Sequence, residues 1–177
     1  MGMMHNVTAR LNSSFFFGVT LLGILAGVNV FTSFFIEQRA FAKVNNIKVT
    51  DLVKNVRFGW DEARIMFDLD ADLNGVYNWN VKLLFVYLEL KYEAPGYPNN
   101  EVIIWDKIIE RDQFNPETAK LELKTEKAKY IMRTRSHDLR GAEVKARLVW
   151  EVTPIVGFVY KMYGDEFKIT FPTSYTR

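Results

Sequence analysis

The feature that most constrains this chain is the run from Phe15 to Ile36, FFFGVTLLGILAGVNVFTSFFI, 22 residues without one Asp, Glu, Lys or Arg. At a rise of about 1.5 Å per residue a helix of that length is roughly 33 Å long. The hydrocarbon core of a bilayer is about 30 Å thick. Backbone amides in that slab must be satisfied inside their own segment, which leaves a helix as the form for a lone span. The polar members, Thr20, Asn29, Thr32 and Ser33, carry no charge. The run therefore predicts a transmembrane helix over residues 15–36. A core helix of a soluble protein rarely runs so long without a charge. The serious rival is a cleavable signal peptide, because Ala40-Phe41-Ala42 is a small-x-small pattern just beyond the run and Arg10 precedes it. Signal-peptide cores span about 7–15 apolar residues, and this run exceeds them, so an uncleaved anchor is expected.

Of 177 residues, 141 follow Ile36, a length suited to one domain with a real core. The net charge of +2 and the absence of a basic run exclude an electrostatic footprint for nucleic acid. No cysteine is present, which excludes disulfides and thiolate metal sites but leaves the compartment open. Charge counting does not fix orientation. Arg10 lies before the span, and Arg39, Lys43, Lys48 and Lys54 follow it, which by itself favours a cytosolic C-terminal domain. Long domains translocate largely regardless of such charge, so the count decides little.

Residues 1–14 are short, polar and too few to fold alone; they contain two glycosylation sequons, at Asn6 and Asn12, which matter only if the tail is lumenal. Within the span, Thr20, Gly23 and Gly27 form a small-residue face that another helix could approach. From Phe41 onward the period becomes twofold. Ala63, Ile65, Phe67, Leu69, Ala71 and Leu73 alternate with polar residues apart from Met66, as in a half-buried strand. Asn74-Gly75 reads as a turn, Val81–Tyr92 and Val102–Ile109 as two-sided strands, and 94–100 as a loop. Asn115-Pro116 marks a break. Segments around Leu121–Leu123 and Tyr130–Met132 are weaker, and 117–129 is charged enough to be a short helix instead. Arg133–Gly141 reads as a loop. Val144–Val152 and Phe167–Phe171 alternate cleanly and stop at Pro154 and Pro172. Pro154–Tyr163 is unusually apolar for a connection, and reads as a further strand or as a surface that needs a partner or the membrane. Seven or so short strands predict an all-β, antiparallel β-sandwich-like domain over residues 37–177, tethered by one helix.

The chemical inventory is thin. The histidines are His5 and His137, and Ser136-His137-Asp138 has hydrolase letters at adjacent positions, the wrong geometry for a triad. Ser13, Ser14, Ser33, Ser136 and Ser174 lie outside any glycine-framed elbow, although a serine–lysine pair is not excluded by composition. Asp68, Asp70 and Asp72 share one strand face; they suit Ca²⁺ by chemistry, and more simply form the wet side of that strand. Trp79, Trp105 and Trp150 fall in strands or at their starts, where burial is expected. No phosphate loop, zinc spacing or dinucleotide fingerprint occurs. No catalytic, cofactor-binding or metal-binding residue is assigned.

Asp70-Ala71-Asp72-Leu73, then Trp79-Asn80-Val81-Lys82 running into Leu84-Phe85 and Tyr87-Leu88, form an ordered series of blocks. Trp105-Asp106-Lys107-Ile108, Asn115-Pro116, Lys129-Tyr130, Trp150-x-Val152-x-Pro154 with Gly157, and Phe171-Pro172 continue it. Together with the N-terminal span, this series resembles the small accessory subunit 3 family of the eukaryotic signal peptidase complex over essentially the whole chain. The resemblance implies a single-pass type II protein of the endoplasmic reticulum membrane, with residues 1–14 cytosolic and 37–177 lumenal. It also implies a chain without catalytic residues or cofactors that binds and supports the catalytic subunit, alongside other small membrane subunits, during signal-peptide removal. Members of the family often carry a sequon before the strand containing Trp150; here Gly141-Ala142-Glu143-Val144 has none, and no Asn after the span heads one. An unrelated anchored adhesion or receptor ectodomain is the alternative, and a tethered hydrolase a third reading. Under the resemblance, the length of the span should keep Ala42 from being presented for cleavage.

Overall fold

The computed structural model describes residues 6–94, 97–111, 118–134 and 139–176. His5, Asn115-Pro116, and Ser136-His137-Asp138 therefore lie outside the described residues.

Among the described residues one helix, α1 (Val7–Ser33), is long and apolar enough to cross a membrane, and none of its residues is buried. Its 27 residues give about 40 Å, more than a bilayer core, so it can span with its ends at the interfaces or with tilt. The helix begins within the segment expected to be too short to fold. The physical reason is that residues 7–14 need not nucleate a helix but only extend one, and Asn6 caps the new end by accepting the Thr8 N–H at 3.1 Å. The hydroxyls bond back along the helix, Thr20 to Phe16 O at 2.8 Å and Ser33 to Val30 O at 2.7 Å, so they reach lipid depth already satisfied.

Among the described residues nine strands follow, all pairing antiparallel, in two sheets. In the first sheet β2 (Trp60–Asp72) lies between β1 (Phe41–Asn55) on one side and β5 (Lys120–Lys127) with β6 (Met132–Thr134) on the other. In the second, β3 (Val81–Ala94) lies between β4 (Tyr97–Glu110) and β7 (Glu143–Pro154), whose far edge carries β8 (Tyr160–Tyr163) and β9 (Phe167–Thr170). The alternation read from sequence is the alternation of burial. Ala63, Ile65, Phe67, Leu69 and Ala71 face inward from β2, and Leu84, Val86, Leu88 and Leu90 from β3. Phe67 meets Trp105 of β4 edge-on at 5.8 Å, joining the two sheets through the core. The all-β antiparallel sandwich is thus the fold.

Several local expectations change. Lys120–Lys127 is strand and not helix, because Leu121 is buried and Leu123 packs on the same core, a spacing of two. Residues 97–100 belong to β4, since the β3–β4 hairpin continues past the turn-rich sequence to Ala94 paired with Tyr97. Trp105 and Trp150 are 3% exposed, but Trp79 is 49% exposed, because it precedes β3 in a turn rather than lying on a core face. Pro154–Tyr163 is not one strand: Pro154 ends β7, Ile155–Val159 is a loop with exposed apolar side chains, and Tyr160–Tyr163 is β8.

The sandwich has a near end and a far end relative to α1. The near end gathers Phe41, a short 3₁₀ turn (Asn74–Val76), the start of β3 and the loop after β7. Gly75 is required there by close approach, since a methyl on it would stand 2.3 Å from the Arg39 carbonyl oxygen. That contact, with the Arg39 N–H donating to Gly75 O at 3.3 Å, holds the connector between helix and sheet against the domain. The far end is closed by the C-terminal segment. The Tyr175 hydroxyl donates to buried Asp61 at 3.0 Å, and Thr176 exchanges bonds with the Leu52 backbone at 2.8 and 2.9 Å.

Candidate functional site

No group of three or more His, Asp or Glu among the described residues is arranged to hold a metal. The Asp68–Asp72 row has structural partners instead. Asp68 accepts from the Asn46 side-chain amide at 2.6 Å and the Thr125 N–H at 2.7 Å. Asn46 and Thr125 both have positive φ, 48° and 54°, at bulges on the two strands flanking β2. One carboxylate therefore pins both bulges, and the bond from Asn46 is the main reason its pKa falls below the usual aspartate range. Asp72 accepts from the Asn74 N–H and side-chain amide at 3.0 and 2.9 Å, forming an Asx turn.

The outer face of the second sheet carries two ionic networks that sequence reading missed. Glu89, 6% exposed, accepts from Arg147 Nε at 2.9 Å, and Arg147 also lies 4.2 Å over the Tyr163 ring. Lys91 joins Glu89 at 3.6 Å to Glu101. Beside them Lys161 bonds Glu151 at 3.0 Å and the Tyr87 hydroxyl at 3.2 Å. Those partners, Glu151 first, hold Lys161 above the usual lysine range, while burial is the main cause raising Tyr87. A lysine whose proton is held this firmly is a poor general base at neutral pH, and its bonds run to Glu151 and Tyr87 rather than to a serine. The signal for these networks was cross-strand register: Glu89 stands opposite Arg147 and Lys161 opposite Glu151, which the sequence shows only once the pairing is known.

The described serines fall in α1 or the C-terminal tail; Ser33 bonds its own helix and Ser174 is exposed. Both histidines lie outside the described residues, and among the described residues no serine is bonded to a lysine or a carboxylate.

The most constructed feature is the near end. Asn80, 4% exposed, grips the start of the β7–β8 loop from three points. Its backbone carbonyl accepts the Ile155 N–H at 2.6 Å. Its side-chain Oδ1 accepts the Val156 N–H at 3.0 Å, and its Nδ2 donates to Val156 O at 2.8 Å. Asn78 in turn accepts the Asn80 N–H at 2.8 Å, and its carbonyl receives Arg111 at 2.9 Å. Gly157 follows with φ of 117°, a conformation that favours glycine, and turns the loop toward α1. Between loop and helix lies an apolar groove of about 480 Å³ lined by Ser33, Phe34, Gln38, Pro154, Gly157 and Tyr160, with the Gln38 amide bonded to the Tyr160 hydroxyl.

The chain has clear relatives. A family model described as signal peptidase subunit matches residues 4–174. Signal peptidase complex subunit 3 of Drosophila melanogaster is 32% identical over 180 residues, covering 97% of each chain. The proteins of the same name from Gallus gallus and Homo sapiens are 33% and 32% identical with the same coverage.

Proposed function

This chain belongs to the signal peptidase subunit family, and from that premise we propose how it serves as an accessory subunit of the signal peptidase complex. It sits in the endoplasmic reticulum membrane as a single-pass type II protein. Residues 1–14 form the cytosolic side, 15–36 the span, and 37–177 a lumenal domain; α1 itself begins earlier, at Val7. It performs no bond cleavage and instead binds and positions a separate catalytic subunit. The observation that carries this reading is whole-length similarity to signal peptidase complex subunits, from the N-terminal helix through the last strand. The matches give no support to an adhesion or receptor ectodomain.

Affinity purification of the tagged full chain in mild detergent tests the role. A stoichiometric membrane serine peptidase, with signal-peptide processing in the eluate, is expected. Purification of the chain alone, or processing by the chain alone, overturns it. Protease added outside sealed microsomes tests the orientation: a protected domain is expected, and digestion of the domain without detergent refutes the lumenal placement.

A further inference from the structure

The loop Ile155–Val159 lies at a depth set by its contact with α1. A methyl on Gly157 would stand 3.6 Å from a Val30 methyl. Val30 is three residues before Ser33, the last residue of α1, and so about 4.5 Å inward along the helix axis. Loop and helix share an apolar depression formed by Ala26, Val30, Phe31, Phe34, Val156 and Phe158. A segment in contact with that part of a membrane-spanning helix cannot be in bulk water.

Its chemistry matches the depth. Pro154-Ile155-Val156-Gly157-Phe158-Val159 contains no polar side chain, and Phe158, Ile155 and Val159 are 92%, 63% and 55% exposed. An exposed apolar tip of this kind is unfavourable in water and favourable in lipid. The first half of the loop has its backbone partly provided for, since Asn80 satisfies the Ile155 N–H and both polar groups of Val156, which lowers the cost of seating it at an apolar boundary. Trp79 and Tyr160, both partly exposed, stand at the same end, where amphipathic rings favour the headgroup level.

We infer that Ile155–Val159 is a second membrane attachment, a lipid-immersed loop beside α1 that seats the near end of the sandwich on the bilayer. The inference rests on α1 spanning the membrane. Its occupant is phospholipid acyl chain, and its consequence is a fixed tilt: a helix alone leaves the domain to pivot about residues 34–37, whereas helix and loop together do not.

The chain contains no cysteine, so single-cysteine labels are clean. Phe158→Cys, Leu22→Cys and Val56→Cys, each carrying an environment-sensitive NBD label, are placed in phosphatidylcholine proteoliposomes as the full chain. Val56 is a matched control, 90% exposed at the far-end turn. At 158 iodide should quench several-fold less than at 56, and lipid with a doxyl group high on the acyl chain several-fold more. If 158 behaves like 56 while Leu22 is quenched by lipid, the loop inference is wrong and the span stands. If neither iodide nor lipid reaches 158, protein covers the loop and the inference is also wrong. If Leu22 escapes lipid quenching, the spanning helix fails and the loop with it.

Discussion

Replacing Asn80 by Ala should release the β7–β8 loop from the sandwich. The substitution removes the two side-chain bonds to Val156 at 2.8 and 3.0 Å but keeps the backbone bond from Ile155. It leaves the N–H and C=O of Val156 without partners, each costing about 1–3 kcal/mol where water cannot reach. Val156 is only half-buried, so partial rehydration favours the lower part of that range, about 2–4 kcal/mol in total. For a domain between the small and mid-size classes, 1 kcal/mol moves Tm by about 3–5 °C, giving a loss on the order of 10 °C. Asn80→Asp should be at least as harmful despite its near-identical volume, because a carboxylate would face the Val156 carbonyl in place of the amide donor. Near-UV circular dichroism of the full chain in micelles follows the domain through buried Trp105 and Trp150, and limited proteolysis reports a new cut within 155–159. A midpoint within about 2 °C of the parent for both variants, with no new cut, would show that the Asn80 bonds do not hold the loop.

Tyr175→Phe removes a hydroxyl donated to buried Asp61 and should cost about 1.5–3 kcal/mol, seen as a lower urea midpoint at unchanged m-value; an unmoved midpoint would show that the tail is not a clamp. Burial pushes the Tyr77 phenol from 10 up to about 12, so its contribution is complete below pH 10 and is lost as pH rises toward 12, the unfolded phenol ionising first. Wild type should therefore exceed Tyr77→Phe by about 1 kcal/mol at pH 8, from the bond to Ile109 O at 2.7 Å, and converge with it above pH 10; a constant gap in urea titrations across that range contradicts this. Deleting Thr20–Ala26 leaves 15 of the 22 uncharged residues, within the signal-peptide range. The shortened chain should be cut after Ala42 when translated with microsomes, yet resist the solubilised peptidase once folded; full resistance in the first assay, or cleavage in the second, would refute the paired barriers argued below.

The span and the core faces were legible because each follows from one local periodicity: no charge for 22 residues, then every second residue apolar in β2 and β7. What stayed hidden depends on partners distant in sequence. β1 reads poorly because Asn46 inserts a bulge that breaks its alternation, and the bulge is held by Asp68, 22 residues away. The Asn80–Val156 bonds span 76 residues, and Glu89–Arg147 spans 58; no window of sequence contains both partners. Trp79 misled because a tryptophan beside a strand reads as core, whereas it sits in the turn that leads into β3 and is half exposed. Pro154–Tyr163 read as one element because its apolar character is continuous, whereas Tyr160–Tyr163 is strand and Ile155–Val159 is an exposed apolar loop.

A signal peptidase subunit with Ala40-Phe41-Ala42 just past its own apolar segment must avoid becoming a substrate, and the fold supplies one of two barriers. Phe41, Ala42 and Lys43 lie in β1, paired with Asp72, Ala71 and Asp70 of β2. Presenting Ala42 in an active site requires peeling those residues away, and at about 0.5–1.5 kcal/mol per hydrogen bond the opening costs about 2–4 kcal/mol. The exposed fraction is then on the order of 1 in 30 to 1 in 1,000. That protection does not exist during synthesis, because the partner strand ends at Asp72, 30 residues after Ala42. At about 5–20 residues per second, the interval lasts roughly 2–6 s. Strand pairing can therefore guard only the finished protein. Through the earlier interval the length of the apolar run is the only barrier available, which is why shortening the run should expose the nascent chain and spare the folded one.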